Sequence, residues 1–246
     1  MDTELKQIES EFPIIDIHGK NIGVVTNLDP IINNDEYSTI AYPFNEKYAK
    51  IINIQRVINQ KQINKFLANE QLNIQRLYHY PNPQFLNNMI IEGLDARLSK
   101  IGNFGKGIYF ATDLLKANQF NTTPVGQISY MFICSVNLGN TFNYEFNAKD
   151  MKLVREPNGY DSVSGNINGF DEFVVYDNTR VVIDYIISYI KTTEMKINFH
   201  FHKMLNIYKI TKPYLELPLY LQSIELFWKE LNQNPIFHNI LLELSQ

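Results

Sequence analysis

Two β-prone runs, residues 12–17 and 22–26, flank the polar turn His18-Gly19-Lys20-Asn21, a pattern that predicts a hairpin. Residues 28–36 read as loop. Across residues 47–70, Ile51, Ile54, Val57 and Ile58, then Ile63, Phe66 and Leu67, recur at helical spacing among Asn, Gln and Lys, so helix is expected there. Residues 77–80 form a short aromatic run that Pro81 and Pro83 bring to a stop. Over 83–91, Phe85, Leu86, Met89 and Ile90 share one helical face, and Gly93 sits just past its end.

The middle of the chain turns to strands. Residues 107–112 read as one, followed by Asp113 as the cap of a short helix holding Leu114, Leu115 and Ala117. Residues 128–138 are a strongly apolar strand ending at Gly139, and 173–176 and 181–190 are two more, broken by a turn at Asp177-Asn178. Strands with short helices between them, without a repeating βαβ rhythm, predict an α+β fold. Beyond residue 193 the leucines and aromatics return to helical spacing, interrupted by Pro213, Pro218 and Pro235. This predicts a helical C-terminal appendage.

The 246 residues are 45% hydrophobic and 13% aromatic, enough to build a core and to exclude a disordered chain. The net charge of −4 gives no global basic footprint for nucleic acid. A single cysteine, Cys134, excludes an internal disulfide and a cysteine-based zinc site. The N-terminal residues lack the pattern of a signal peptide, and no apolar run approaches the roughly 18 residues of a membrane span. A cytoplasmic protein with no membrane partner is expected, and delivery into a host cytosol is compatible with the same signals.

Of five histidines, His18 falls in the hairpin turn, His200 and His202 have no ligand-like neighbours, and His238 lies in the last predicted helix. His79 ends the aromatic run just before the prolines, where a side chain is presented from a fixed edge. Three further stretches give it company. They are Phe104-Gly105-Lys106-Gly107-Ile108-Tyr109-Phe110-Ala111, Gly159-Tyr160-Asp161-Ser162-Val163-Ser164-Gly165, and Asp171-Glu172-Phe173-Val174-Val175-Tyr176-Asp177. Together with Ile54-Gln55-Arg56-Val57-Ile58-Asn59, the set resembles the catalytic domain of poly(ADP-ribose) polymerase-like ADP-ribosyltransferases, the diphtheria-toxin-type class. Phe104 to Ala111 matches the family's FGKGIYFA segment letter for letter, and residues 54–59 resemble the family helix that precedes the catalytic histidine. The resemblance covers residues 40–190.

The resemblance implies two packed, mostly antiparallel sheets around an NAD cleft, with short helices. It divides the chain into an N-terminal extension (1–39), a catalytic domain (40–192) and the helical appendage (193–246). It assigns a catalytic triad to His79, Tyr109 and Glu172, NAD+ as co-substrate, and no metal. The chemistry suits these side chains. Cleaving the nicotinamide–ribose bond builds positive charge on the ribose, which a carboxylate such as Glu172 stabilises while bonding the 2′-hydroxyl. An imidazole can hold a ribose hydroxyl, and the face of Tyr109 can stack on nicotinamide.

Cofactor contacts fall by the same resemblance on His79, Tyr80, Gly107, Tyr109, Ala117 and Phe120. Three of these depart from the family pattern. Tyr80 stands where the family has glycine after the histidine, Ala117 where it has serine, and Phe120 where it has a second stacking tyrosine. A neutral hydrogen bond lost at Ala117 is worth about 0.5–1.5 kcal/mol. An arginine-specific, toxin-like transferase is disfavoured because Phe170, not an acid, lies two positions before Glu172.

The expected activity is transfer of ADP-ribose from NAD+ to an acceptor macromolecule, chiefly protein. Nucleic acid stays open as an acceptor. Mono-transfer is favoured because residues 1–39 are too few for a helical regulatory domain. The competing reading is a catalytically weak or inactive NAD-binding and protein-interaction module.

Overall fold

The computed structural model of the chain describes residues 11–44 and 49–192. The expected hairpin is present as β1 (Glu11–Ile15) and β2 (Asn21–Asn27), paired antiparallel. Its turn is held by Asp16, whose carboxylate accepts the N–H groups of His18 and Lys20. Gly19 supplies the left-handed φ of +77° that the turn requires. A short helix, α1 (Asn34–Ala41), follows.

Residues 47–70 correct the helical expectation. Residues 49–59 are a strand, β3 (Ala49–Asn59), and only Gln60–Leu67 are helical, as α2. The stretch likened to a family helix, 54–59, lies wholly in that strand. The reason is two-faced burial. β3 lies between β2 and another long strand, and Ile54 and Val57, of opposite parity, enter different core clusters. Apolar residues at both parities blur the period-2 signal into a spacing that mimics a helix. Asn59 makes the switch, accepting the N–H groups of Lys61 and Gln62 as the cap of α2.

The remaining elements are β4 (Ile74–His79), α3 (Leu86–Glu92), β5 (Ile108–Ala111), α4 (Leu114–Asn118), β6 (Ile128–Asn137), β7 (Thr141–Tyr144), β8 (Ser162–Ile167), β9 (Phe170–Val175) and β10 (Val181–Lys191). Gly93 closes α3 with φ +92°, and Asp113 caps α4 through the N–H groups of Leu115 and Lys116, both as expected. Two strands were not anticipated. β7 is short, and β8 buries two serines, Ser162 and Ser164, so neither shows a clear apolar alternation.

The described strands form one sheet in the order β1-β2-β3-β10-β6-β4-β5-β9-β8-β7, antiparallel except for β7 with β8. Two separate sheets were expected, and this is a correction. The two lobes are nonetheless joined narrowly, since β4 and β5 share a single paired position, Tyr78 with Ala111. One core cluster gathers Val57, Leu77, Phe110, Phe132 and Ile186. Their strand neighbours Ile54, Ala111, Ile133 and Ile187 pack on the opposite face. A third cluster, with Phe104, Val163, Ile167 and Val174, serves the β8–β9 lobe. The predicted appendage at 193–246 lies outside the described residues. Among the described residues, no helix is long and apolar enough to cross a membrane.

Candidate active site

Three neighbouring strands, β4, β5 and β9, carry His79, Tyr109 and Glu172. His79 is the last residue of β4, where the β4–β5 ladder has already stopped. Its Nδ1 lies 2.8 Å from the carbonyl oxygen of Tyr109. A carbonyl can only accept, so Nδ1 carries the proton and donates. Burial pulls the imidazole pKa below its ordinary 6.5, partly offset by that same bond, so the ring is neutral at neutral pH. Nε2 therefore keeps a lone pair that can accept a hydrogen bond. The ring rests against Phe110 and Phe132, with centroids at 5.5 and 6.3 Å.

A depressed histidine pKa has a stability consequence. Between the folded and unfolded values the unfolded chain binds more protons, so stability is full above about 6.5 and is lost as the pH falls through the folded value. The melting temperature is expected to drop between about pH 7.5 and about pH 5.5. The drop should be smaller in His79→Gln, which thermal melts of both proteins will read.

Tyr109 is half-buried, and burial raises its phenol to about 12. Its hydroxyl is fully engaged. It donates to the carbonyl of Gly105 at 2.7 Å and accepts the N–H of Phe104 at 2.9 Å. Gly102 lets the ring approach, since a Cβ there would stand 2.6 Å from the ring carbon Cζ. Tyr109 thus fixes the 102–105 loop, and that loop delivers Asn103 to Glu172.

Glu172 is 3% exposed and lies opposite Ala111 on β5 and Gly165 on β8. Its Oε1 is 2.6 Å from Lys116 Nζ, itself buried on α4. Asn103 donates from Nδ2 to both carboxylate oxygens, at 3.2 and 3.0 Å. The lysine ammonium is 5.9 Å from the ring centroids of both Phe120 and Phe170. Two charges in such a place need each other, because either alone would pay its full desolvation cost.

Tyr109 and Glu172 are of the same parity across the β5–β9 ladder and so share one face of the sheet. The His79 ring instead meets Phe110 and Phe132, which are core residues of the other face, and it is tied to Tyr109 through the main chain alone. It stands at the seam between the two lobes.

The other predicted contacts are placed as follows. Tyr80 is half-buried, with its hydroxyl 3.3 Å from Thr123 Oγ1. Gly107 serves packing, since a Cβ there would meet Val174 Cγ1 at 2.3 Å. Ala117 is buried in the cluster with Ala111, Leu114 and Met131. Phe120 is about half exposed. His18 is exposed in its turn, while His200, His202 and His238 lie outside the described residues.

Sequence reasoning missed Lys116 and Asn103. The signal for Lys116 lies in the Asp113 cap, which starts a short helix directly after β5 and so sets Lys116 against Glu172. Asn103 carried only the weak signal of a polar residue between two glycine turns.

Comparison with known protein families covers β4 and β5 but stops short of β9. The family model described as the poly(ADP-ribose) polymerase catalytic domain matches residues 34–169, more than half of the chain. The match includes His79 and Tyr109 and ends three residues before Glu172. The chain is 27% identical over 176 residues to a probable poly [ADP-ribose] polymerase of Dictyostelium discoideum, covering 63% of this chain and 50% of that protein. It is 27% identical over 215 residues to the human protein mono-ADP-ribosyltransferase PARP11, covering 70% of this chain and 62% of that one. To the Mus musculus protein mono-ADP-ribosyltransferase PARP4 it is 26% identical over 194 residues, 70% of this chain and 10% of that one. The chain therefore spans less than two thirds of the length of each.

Proposed function

The chain belongs to the poly(ADP-ribose) polymerase catalytic-domain family, and from that premise we propose that it transfers ADP-ribose from NAD+ to an acceptor, releasing nicotinamide. The transfer proposed is mono-ADP-ribosylation of protein, as the names of two relatives describe for those proteins. The observation that carries the reading is the Glu172 carboxylate, buried yet oriented by Lys116 and Asn103. The ion pair and the amide hold both carboxylate oxygens in one fixed orientation, which is what stabilising a developing charge asks of them.

The chemistry of these groups suits a dinucleotide ribose. Glu172 supplies a fixed acceptor for a ribose hydroxyl and negative charge where positive charge develops on the sugar. His79 supplies the Nε2 lone pair, held in place by the Tyr109 carbonyl. Tyr109 and Phe120 supply rings for stacking on a planar base, and Phe120 is accessible for it. Lys116 acts through Glu172 and is a positioning residue.

Paired histidine variants test the site. His79→Ala is expected to raise the apparent KM for NAD+ by about threefold to tenfold, the value of one hydrogen bond, and to lower turnover. His18→Ala, in the exposed turn, is expected to change neither. Nicotinamide release measured across NAD+ concentrations decides it. Damage from His18→Ala with none from His79→Ala would mean that the site is built on the wrong strand.

A further inference from the structure

The loop that carries Asn103 to the carboxylate is bonded to a second loop. The main-chain N–H of Asp150 donates to the Asn103 carbonyl and that of Lys106 to the Leu153 carbonyl, both at 2.8 Å. Gly105 lies against the Leu153 main chain so closely that a Cβ would meet its oxygen at 1.9 Å. The surface formed by 95–106 and 149–156 is thus continuous with Glu172, because Asn103 belongs to it and touches the carboxylate.

Its composition is unlike the rest of the chain. These two stretches hold six basic and three acidic side chains, on a protein whose net charge is −4. Arg97 is matched by Asp95 at 2.6 Å. Lys100, Lys106, Lys149, Lys152 and Arg155 are exposed and pair with no carboxylate among the described residues. The same two stretches carry four exposed aliphatic side chains, Leu98 at 84%, Ile101 at 64%, Met151 at 57% and Val154 at 76%. Exposed aliphatic side chains on two loops bonded to each other next to the proposed site suit a contact surface.

We propose that this surface docks the acceptor, and that it selects an acidic protein segment carrying aliphatic side chains. The proposal rests on the transferase reading above. Unpaired cations complement acidic residues and steer the encounter, while the aliphatic groups between them supply the area to be buried. Single-stranded nucleic acid fits less well. It would use the cations but needs exposed rings for its bases, and the one aromatic of these stretches, Phe104, is fully buried.

The test uses the full chain and a fluorescent peptide of repeated Glu-Glu-Leu-Gly, with a Lys-Lys-Leu-Gly peptide, a Glu-Glu-Ser-Gly peptide and a single-stranded oligonucleotide as controls. Two variants accompany the wild type. One combines Lys100→Glu, Lys152→Glu and Arg155→Glu, and the other Leu98→Ser, Ile101→Ser and Val154→Ser. All these positions are exposed, and thermal melts check that both variants fold. The Glu-Glu-Leu-Gly peptide should bind tightest, and each variant should weaken it by about tenfold or more, which is one decade in Kd. Acceptor-free nicotinamide release should be unchanged in both.

Equal peptide affinity in wild type and charge-reversed protein would overturn the proposal, as would no peptide binding or tighter binding of the oligonucleotide. Absence of nicotinamide release from the wild type would instead sink the transferase reading, whatever the peptide does.

Discussion

Glu172→Gln is expected to lower nicotinamide release about 100- to 1000-fold, the usual loss when a preorganised charge-stabilising group is removed. The substitution is nearly isosteric, and the amide oxygen can still accept from Lys116. What disappears is the negative charge, and with it the opposition to positive charge developing on the ribose. The surroundings make this variant less innocent than its shape implies. Lys116 is buried with Glu172 as its ion-pair partner and cannot retreat to water without unpacking α4. A lower melting temperature is therefore expected alongside the lost activity, and the rate has to be normalised to folded protein. Retention of more than about a tenth of the wild-type rate would remove Glu172 from the proposed chemistry.

That coupling shows where the sequence was legible and where it was not. The glycine-containing segments around Tyr109 and the acidic pair before Phe173 could be read because their spacing is local. Each is a short string that the family resemblance rests on, and the structure has β5 and β9 side by side. Capping was legible for the same reason, since Asp113 and Gly93 act within a few residues of themselves. β3 was not, because what makes it a strand is pairing with β2 and with β10, the latter more than a hundred residues away in sequence. The joining of the lobes into one sheet hangs on Tyr78 and Ala111, a tie that no periodicity reports. Lys116 looks like any solvated helix lysine until the fold sets a carboxylate 2.6 Å away. The position of His79 was legible, but its setting at the seam of the lobes, joined to Tyr109 by the main chain, was not.

Lys116→Met should therefore be the most damaging change to stability at this site. It keeps roughly the length and volume of the side chain and deletes the ammonium, which lies 5.9 Å from the ring centroids of Phe120 and Phe170. Glu172 is left buried with Asn103 as its remaining side-chain partner. Removing one member of a buried ion pair costs about 3–5 kcal/mol, chiefly through the charge stranded by the change. If stranding is the cause, the double variant Lys116→Met with Glu172→Gln should be more stable than Lys116→Met alone, because no uncompensated charge remains. Its activity should stay as low as that of Glu172→Gln. Denaturant melts of the four proteins close a double-mutant cycle and isolate the pair's coupling. Nicotinamide release by Lys116→Met supplies the functional half. A positioning lysine predicts reduced turnover per folded molecule with a nearly unchanged KM for NAD+, because Lys116 acts on the orientation of Glu172 and not on the dinucleotide. Additive stability effects in the cycle would show that the two side chains do not depend on each other. The oriented carboxylate would then lose the support on which the proposed chemistry rests.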